Sequence, residues 1–198
     1  MDESVWKLTL DEFANRVGKG PTPAGVSICA VAASFALELL AMSLAVSARR
    51  RDFTGDRERC CHLADTARDQ ASQIRKYADE DIAAYQSYLK NRKTSDAAAA
   101  LQAAIDVPLK IARAALHGLE LCAEGSSFVS AAVAPDLASA VAILAAAARA
   151  TINSAEANAA SSRDDALVER LSSERLALEI EAASLLEKVL GTSVQRGS

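Results

Sequence analysis

Glycine and proline are scarce in this chain, at 8 and 4 residues among 198. A turn-rich β domain needs more of both, because Gly supplies left-handed backbone and Pro presets turn dihedrals. Aromatic residues make up only 4% of the chain, although 51% of it is hydrophobic. Much of that hydrophobicity is alanine, the strongest helix former and a side chain that lets helices approach closely. These shortages argue against a sandwich or barrel and predict an all-α fold.

Clustered basic charge is also lacking. The net charge is −4, and the tight basic runs are "RRR" at 49–51 and "KNRK" at 90–93, so no nucleic-acid partner is expected. The four cysteines (Cys29, Cys60, Cys61, Cys122) show no CxxC spacing. Adjacent Cys60 and Cys61 would leave a helix in different directions, and His62 and His117 are far apart in sequence, so no metal site is expected. The opening "MDESVWKLTLDEF" is acidic and amphipathic, unlike a signal peptide, and a reduced cytoplasmic protein is the expectation. Walker, GxGxxG, GxSxG and HExxH motifs are absent.

What is present divides into helical blocks within one expected domain, 1–198. A short amphipathic helix is predicted over about 7–17, with Leu8, Leu10, Phe13 and Val17 on one side and Gly18 and Gly20 ending it. Further helices are predicted at about 24–50, 57–91, 96–123, 136–161 and 164–190, with Pro108 bending the fourth block. In the last block Leu167, Leu171, Leu178, Leu185 and Val189 recur at spacings of four and seven, a seam for a neighbouring helix. The expected architecture is an up-and-down bundle of about six helices. The segments 24–50 and 136–161 lack a polar face, which predicts that they are central and that a homodimer buries them.

The first of these apolar segments is long enough to span a bilayer, for which ~20 apolar residues suffice. Its small residues, its central Glu38 and the absence of a flanking aromatic belt favour the interior of a water-soluble bundle, and no membrane association is expected. Polar groups stand out against this background: Thr22, Ser27, Glu38, Asp81, Tyr85, Lys90, Asp136, Asn153 and Asn158. Asp81, Tyr85 and Tyr88 fall at i, i+4 and i+7, on one face of a helix, with Lys90 half a turn beyond. That face suits a cationic heterocycle; ordinary tyrosine packing on a solvated stripe has the same spacing. Glu38 reads most readily as a buried carboxylate bonded to Ser or Asn. At the corner, Thr22 would cap a helix opening at Pro23.

Six segments in order resemble the cyclodeaminase/cyclohydrolase family of folate enzymes. They are "PTPAGVS" at 21–27, "ARRRDF" at 48–53, "DEDIAAY" at 79–85, "DVPLKIARAAL" at 106–116, "APDLASA" at 134–140 and "SAEAN" at 154–158. The chain departs from the family pattern at Ala24 and Val26, where glycine is usual, at Pro135 and Ser154, and in lacking a Leu-Pro-Lys segment after the third motif. The resemblance implies hydrolysis of 5,10-methenyltetrahydrofolate to 10-formyltetrahydrofolate, with a tetrahydrofolate derivative as substrate and no covalently bound cofactor or metal. Its alternatives are closure of 5-formiminotetrahydrofolate with loss of ammonia, or a helical protein that binds folate or a partner without catalysis. Both reactions pass through a tetrahedral carbon between N5 and N10 and need an acid/base, for which the resemblance offers Asp81 first, Asp136 second and Glu38 third. Asp136 reads equally as a first-turn acid stabilised by a helix dipole. The same resemblance implies a folate site formed by Thr22, Pro23, Ala24, Gly25 and Ser27 with Tyr85 and Asn158, and basic residues Lys90, Arg92 and Lys93 for the anionic glutamate tail.

Overall fold

A computed structural model describes residues 4–162 and 164–194, with side chains described as far as Glu187. All regular structure among them is helical: α1 (Leu10–Val17), α2 (Gly25–Ala48), α3 (Arg57–Asn91), α4 (Ala97–Gly125), α5 (Ala134–Ala159) and α6 (Asp165–Val194). Two 3-10 turns, Val5–Lys7 and Ala131–Val133, precede α1 and α5.

Local chemistry sets several of these boundaries. Thr9 and Glu12 form a reciprocal capping box that starts α1. Asp56 accepts from the Arg59 N–H at the start of α3, and Asp164 accepts from the Leu167 N–H at the start of α6. Pro135 lies in the first turn of α5, where the missing N–H costs nothing. Pro108 is buried within α4, which is one continuous helix from Ala97 to Gly125.

Helices α2 to α5 form an antiparallel ring, and α6 lies against α4 and α5. Cross-links fix the directions. Glu38 of α2 meets Arg75 of α3, while the Cys60 thiol reaches the Leu44 carbonyl. Lys110 and the Ala114 carbonyl of α4 meet Glu80 and Gln70 of α3. Arg175 and Glu179 of α6 pair with Glu156 and Arg149 of α5. The starts of α2, α4 and α6 therefore share one end of the bundle with the ends of α3 and α5.

The core is built from Leu37, Leu40, Leu44, Leu63, Ile74, Ile111, Leu119 and Leu144, interleaved with fully buried alanines. Ala30, Ala33, Ala36, Ala67, Ala71 and Ala115 let the backbones close on one another. Leu171 and Leu178 of the α6 seam are buried with Ile105, Leu109 and Ile152, while Leu167 is half-buried there. Leu185 packs on the main core, and the Val189 side chain lies outside the described residues.

Two expectations need correction. The first helix is shorter than the predicted 7–17: α1 begins at Leu10, fully buries no residue and leaves Leu10 75% exposed, while Phe13 packs partly buried against the main core. The 3-10 turn before it takes the anchoring role. Val5 is buried, Trp6 stacks edge-on to Phe35, and the Trp6 indole N–H donates to the Arg75 carbonyl at 2.8 Å. Asp79 holds the same segment by accepting from the Ser4 hydroxyl and the Val5 N–H. Glu38 is also not a buried carboxylate bonded to Ser or Asn. It is half-exposed and paired with Arg75 at 3.2 Å.

Both α2 and the segment 131–159 are long and apolar enough to cross a membrane, and half of the α2 window is buried inside the bundle. The remaining face of α2 shows Ile28, Phe35, Met42 and Val46 to the outside.

Candidate active site

The loop from Gly18 to Ala24 leads into α2 through a cis Thr22–Pro23 peptide, with Pro23 buried. The helix starts at Gly25, with Ala24 as the N-cap and no side-chain cap. Thr22 therefore does not cap it, contrary to expectation. Its hydroxyl accepts from the Gln86 amide at 3.4 Å, which ties the corner to α3.

The group that meets the start of α2 comes from across the interface. The Ser27 hydroxyl donates to Asp81 Oδ2 at 2.6 Å. Ser27 is fully buried and Asp81 is 9% exposed. Two effects oppose each other at Asp81. Burial raises its pKa above the usual carboxylate value, and hydrogen bonding from Ser27 pulls it down. Burial prevails, so the carboxyl binds its proton more readily than a free aspartate. The Cys29 thiol on α2 is half-buried, and burial followed by the Asp81 charge raises its pKa.

The rest of the site extends along α3. Tyr85 and Tyr88 lie with ring centroids 6.4 Å apart at a tilt of 42°. Beyond them, Tyr88 and Arg92 line a cleft of about 350 Å³ with Leu101, Gln102, Ser161 and Asp164. Lys90 is exposed at the same end. Asn158, near the end of α5, donates its amide to the Ala104 carbonyl at 2.8 Å, joining α5 to α4 beside this cleft. At the corner itself, Gly25 is exposed, and a Cβ added there would meet nothing within 4 Å. Ala24 is exposed too, whereas Val26 belongs to the main core.

The fold thus gathers Thr22, Pro23, Ala24, Gly25, Ser27, Asp81, Tyr85, Lys90, Arg92 and Asn158 at one end of the bundle. Asp136 is not with them. It sits in the first turn of α5, close after Ser130, whose N–H donates to the Ser47 hydroxyl near the end of α2. The 20 residues of α2 between Ser27 and Ser47 span about 30 Å at ~1.5 Å per residue. Within one chain Asp136 and Asp81 occupy opposite ends.

Sequence reasoning missed Cys29 beside Asp81, and it missed the cleft lined by Glu12, Asn15, Arg16, Lys19, Gly20 and Thr22 at the corner. Arg16 and Lys19 stand one turn apart just before the corner, a spacing visible in the sequence. The Cys29–Asp81 approach carries no sequence signal, since it depends on how α2 and α3 are registered. Among the described residues no group of three or more His, Cys, Asp or Glu could hold a metal ion.

Comparison with known proteins adds three findings. The family model described as formiminotransferase-cyclodeaminase matches residues 9–177. The crystal structure of formiminotetrahydrofolate cyclodeaminase from Thermotoga maritima superposes with a TM-score of 0.84, covering 98% of this chain and 100% of that one at 20% identity. No curated protein matches the chain.

Proposed function

Because this chain belongs to the formiminotransferase-cyclodeaminase family, a family of folate one-carbon enzymes, we propose that it hydrolyses 5,10-methenyltetrahydrofolate to 10-formyltetrahydrofolate, with Asp81 as the acid/base. The observation that carries this reading is the Asp81 carboxyl, buried against the start of α2 beside the open backbone at Gly25. A carboxylate there favours a cationic amidinium by charge. It takes one proton from the attacking water as the C–O bond forms and returns that proton to the ring nitrogen as the C–N bond breaks. The remaining hydroxyl proton leaves to solvent as the formyl C=O forms, so hydrolysis of the cation releases one proton net. A group that both accepts and releases a proton works best with a pKa nearer the working pH than that of a free aspartate, the direction in which burial moves Asp81.

The open corner at Ala24 and Gly25 offers backbone for the pterin to lie against, including helix-start N–H groups without intrahelical partners. Tyr85 and Tyr88 flank the approach along α3, and Lys90, Arg92 and Lys93 meet the anionic tail of the substrate. Asn158 supports this end of the bundle through its bond to α4. Asp136 has no part in this site within one chain, and its place in the first turn of α5 fits a dipole-stabilised acid. We place the reaction in the cytoplasm, without a metal or covalently bound cofactor, in a homodimer joined through the exposed apolar face of α2.

The second reading is closure of 5-formiminotetrahydrofolate with release of ammonia. It is favoured by the Thermotoga maritima structure, which is named for that reaction. One experiment separates the two: following the methenyl absorbance with purified protein, starting from each substrate, with and without ammonia. Accelerated loss of the methenyl band supports hydrolysis, and its appearance from the formimino substrate with ammonia release supports the cyclodeaminase. If neither rate exceeds the uncatalysed one, catalysis is refuted and a binding role remains.

A further inference from the structure

Ser27 has a place in this site that substrate contact does not explain. It is fully buried in the chain, and its hydroxyl is spent on Asp81 at 2.6 Å. The two groups come from different helices, 54 residues apart in sequence. We propose that Ser27 is the positioning residue of Asp81, holding the carboxyl in one orientation at the start of α2 and restoring its ionised form after each proton transfer. The proposal rests on the acid/base reading of Asp81, but it can be measured without turnover.

The physical argument has two parts. A carboxylate offers about four lone-pair directions, so the Ser27 hydroxyl orients it and still leaves room for a proton from the substrate. A hydroxyl both donates and accepts. When Asp81 is ionised, Ser27 donates to it, and when Asp81 carries a proton, the same oxygen can accept. The pair therefore remains satisfied through a full cycle, which an apolar neighbour would not allow in a buried site.

The other groups around Asp81 are accounted for. On its own helix, Asp79 is turned to Ser4 and Val5, and Glu80 to Lys110 of α4. Tyr85 lies one turn along the same helix, and Asp106 of α4 is bonded to Gln102. Among the groups on α2, the Cys29 thiol is half-buried, and burial followed by the Asp81 charge raises its pKa. Hydrogen bonding from Ser27 is thus the principal interaction opposing burial.

The test is a carbon-13 NMR titration of the Asp81 carboxyl in the full chain, assigned by the signal lost in Asp81→Asn, for the parent and for Ser27→Ala. A hydrogen bond to a charged group contributes ~1.5–3 kcal/mol, so the titration midpoint of Ser27→Ala should rise by about one pH unit or more. With 5,10-methenyltetrahydrofolate, the acid limb of the pH–rate profile should move up by the same amount while KM stays within about two-fold. An unmoved midpoint overturns the proposal, and so does a KM increase without a midpoint shift, which would make Ser27 a substrate contact. If the midpoint shifts but the parent has no turnover, the positioning role stands and the folate reading fails. Should Ser27→Ala not fold, Ser27→Cys keeps a weak donor of similar size, and a smaller upward shift is expected from it. No shift in that variant overturns the proposal equally.

Discussion

At Asp81 the needs of catalysis and of stability conflict. Burial holds its folded pKa above the unfolded value, so the folded chain favours the protonated carboxyl. The cost of burying the charge is therefore present above the folded pKa and is relieved as pH falls through it. Asp81→Asn keeps an acceptor for Ser27 and removes that charge. The variant should melt at a higher temperature than the parent at pH 7, and calorimetry should show the gap closing as pH falls toward 3.8, the ordinary carboxyl value. The same substitution should lower methenyltetrahydrofolate hydrolysis by ~10²–10⁴-fold, the usual worth of general acid/base catalysis. Near-full activity would remove Asp81 from the mechanism. Gly25 makes the complementary case. A Cβ there meets no protein atom within 4 Å and the residue does not have a positive φ, so Gly25→Ala should raise stability by up to ~1 kcal/mol. It should also weaken folate binding in a titration, because the methyl occupies the space over the backbone that the pterin needs. Unchanged affinity would reduce the corner to helix punctuation.

At the scale of elements, Gly118 in α4 marks a close approach of three helices. A Cβ there would stand 3.0 Å from Leu37 of α2 and 3.1 Å from Leu144 of α5. Three helices converge on that point. Gly118→Val adds three carbons where one is already tight, and overpacking of this kind costs ~1–3 kcal/mol. The midpoint of urea unfolding should fall accordingly, and an unchanged midpoint would show that the two leucines can move aside. The long helices were legible in the sequence to within a few residues because each carries a run of apolar side chains closed by recognisable punctuation, such as Asp56, "EGSS" and Pro135. The segment through α1 was not. Leu8, Leu10, Phe13 and Val17 match a helical face as well as any core helix, yet Leu10 is exposed and Phe13 packs on the core, while Val5 and Trp6 before the helix dock on α2 and α3. The candidate site was legible as motifs but not as geometry. The spacing of Asp81, Tyr85 and Tyr88 on one helix could be counted, whereas the meeting of Ser27 with Asp81 and the separation of Asp136 depend on helix order and direction.

For the whole molecule, the exposed side of α2 is the feature that one chain leaves unresolved. Ile28, Phe35 and Met42 recur every seven residues, with Val46 one turn further, and all four are at least one-third exposed. A homodimer joined there should show twice the chain mass in solution scattering. Met42→Glu with Val46→Glu should yield a monomer that keeps its helical circular dichroism; a parent that is already monomeric would refute the assembly. The same helix also has a history during synthesis. Residues 25–48 are made before α3, and α5 begins only at residue 134. At about 5–20 residues per second, several seconds pass in which α2 has left the ribosome without the helix that covers its second side. For that interval the nascent chain displays a 24-residue apolar helix to chaperones and to the membrane-targeting machinery. Its alanines and serines, which allow close packing once α3 and α5 arrive, also make it a weaker membrane signal than a leucine helix of equal length. The composition that suits α2 to the centre of a bundle thus also protects it on the way there.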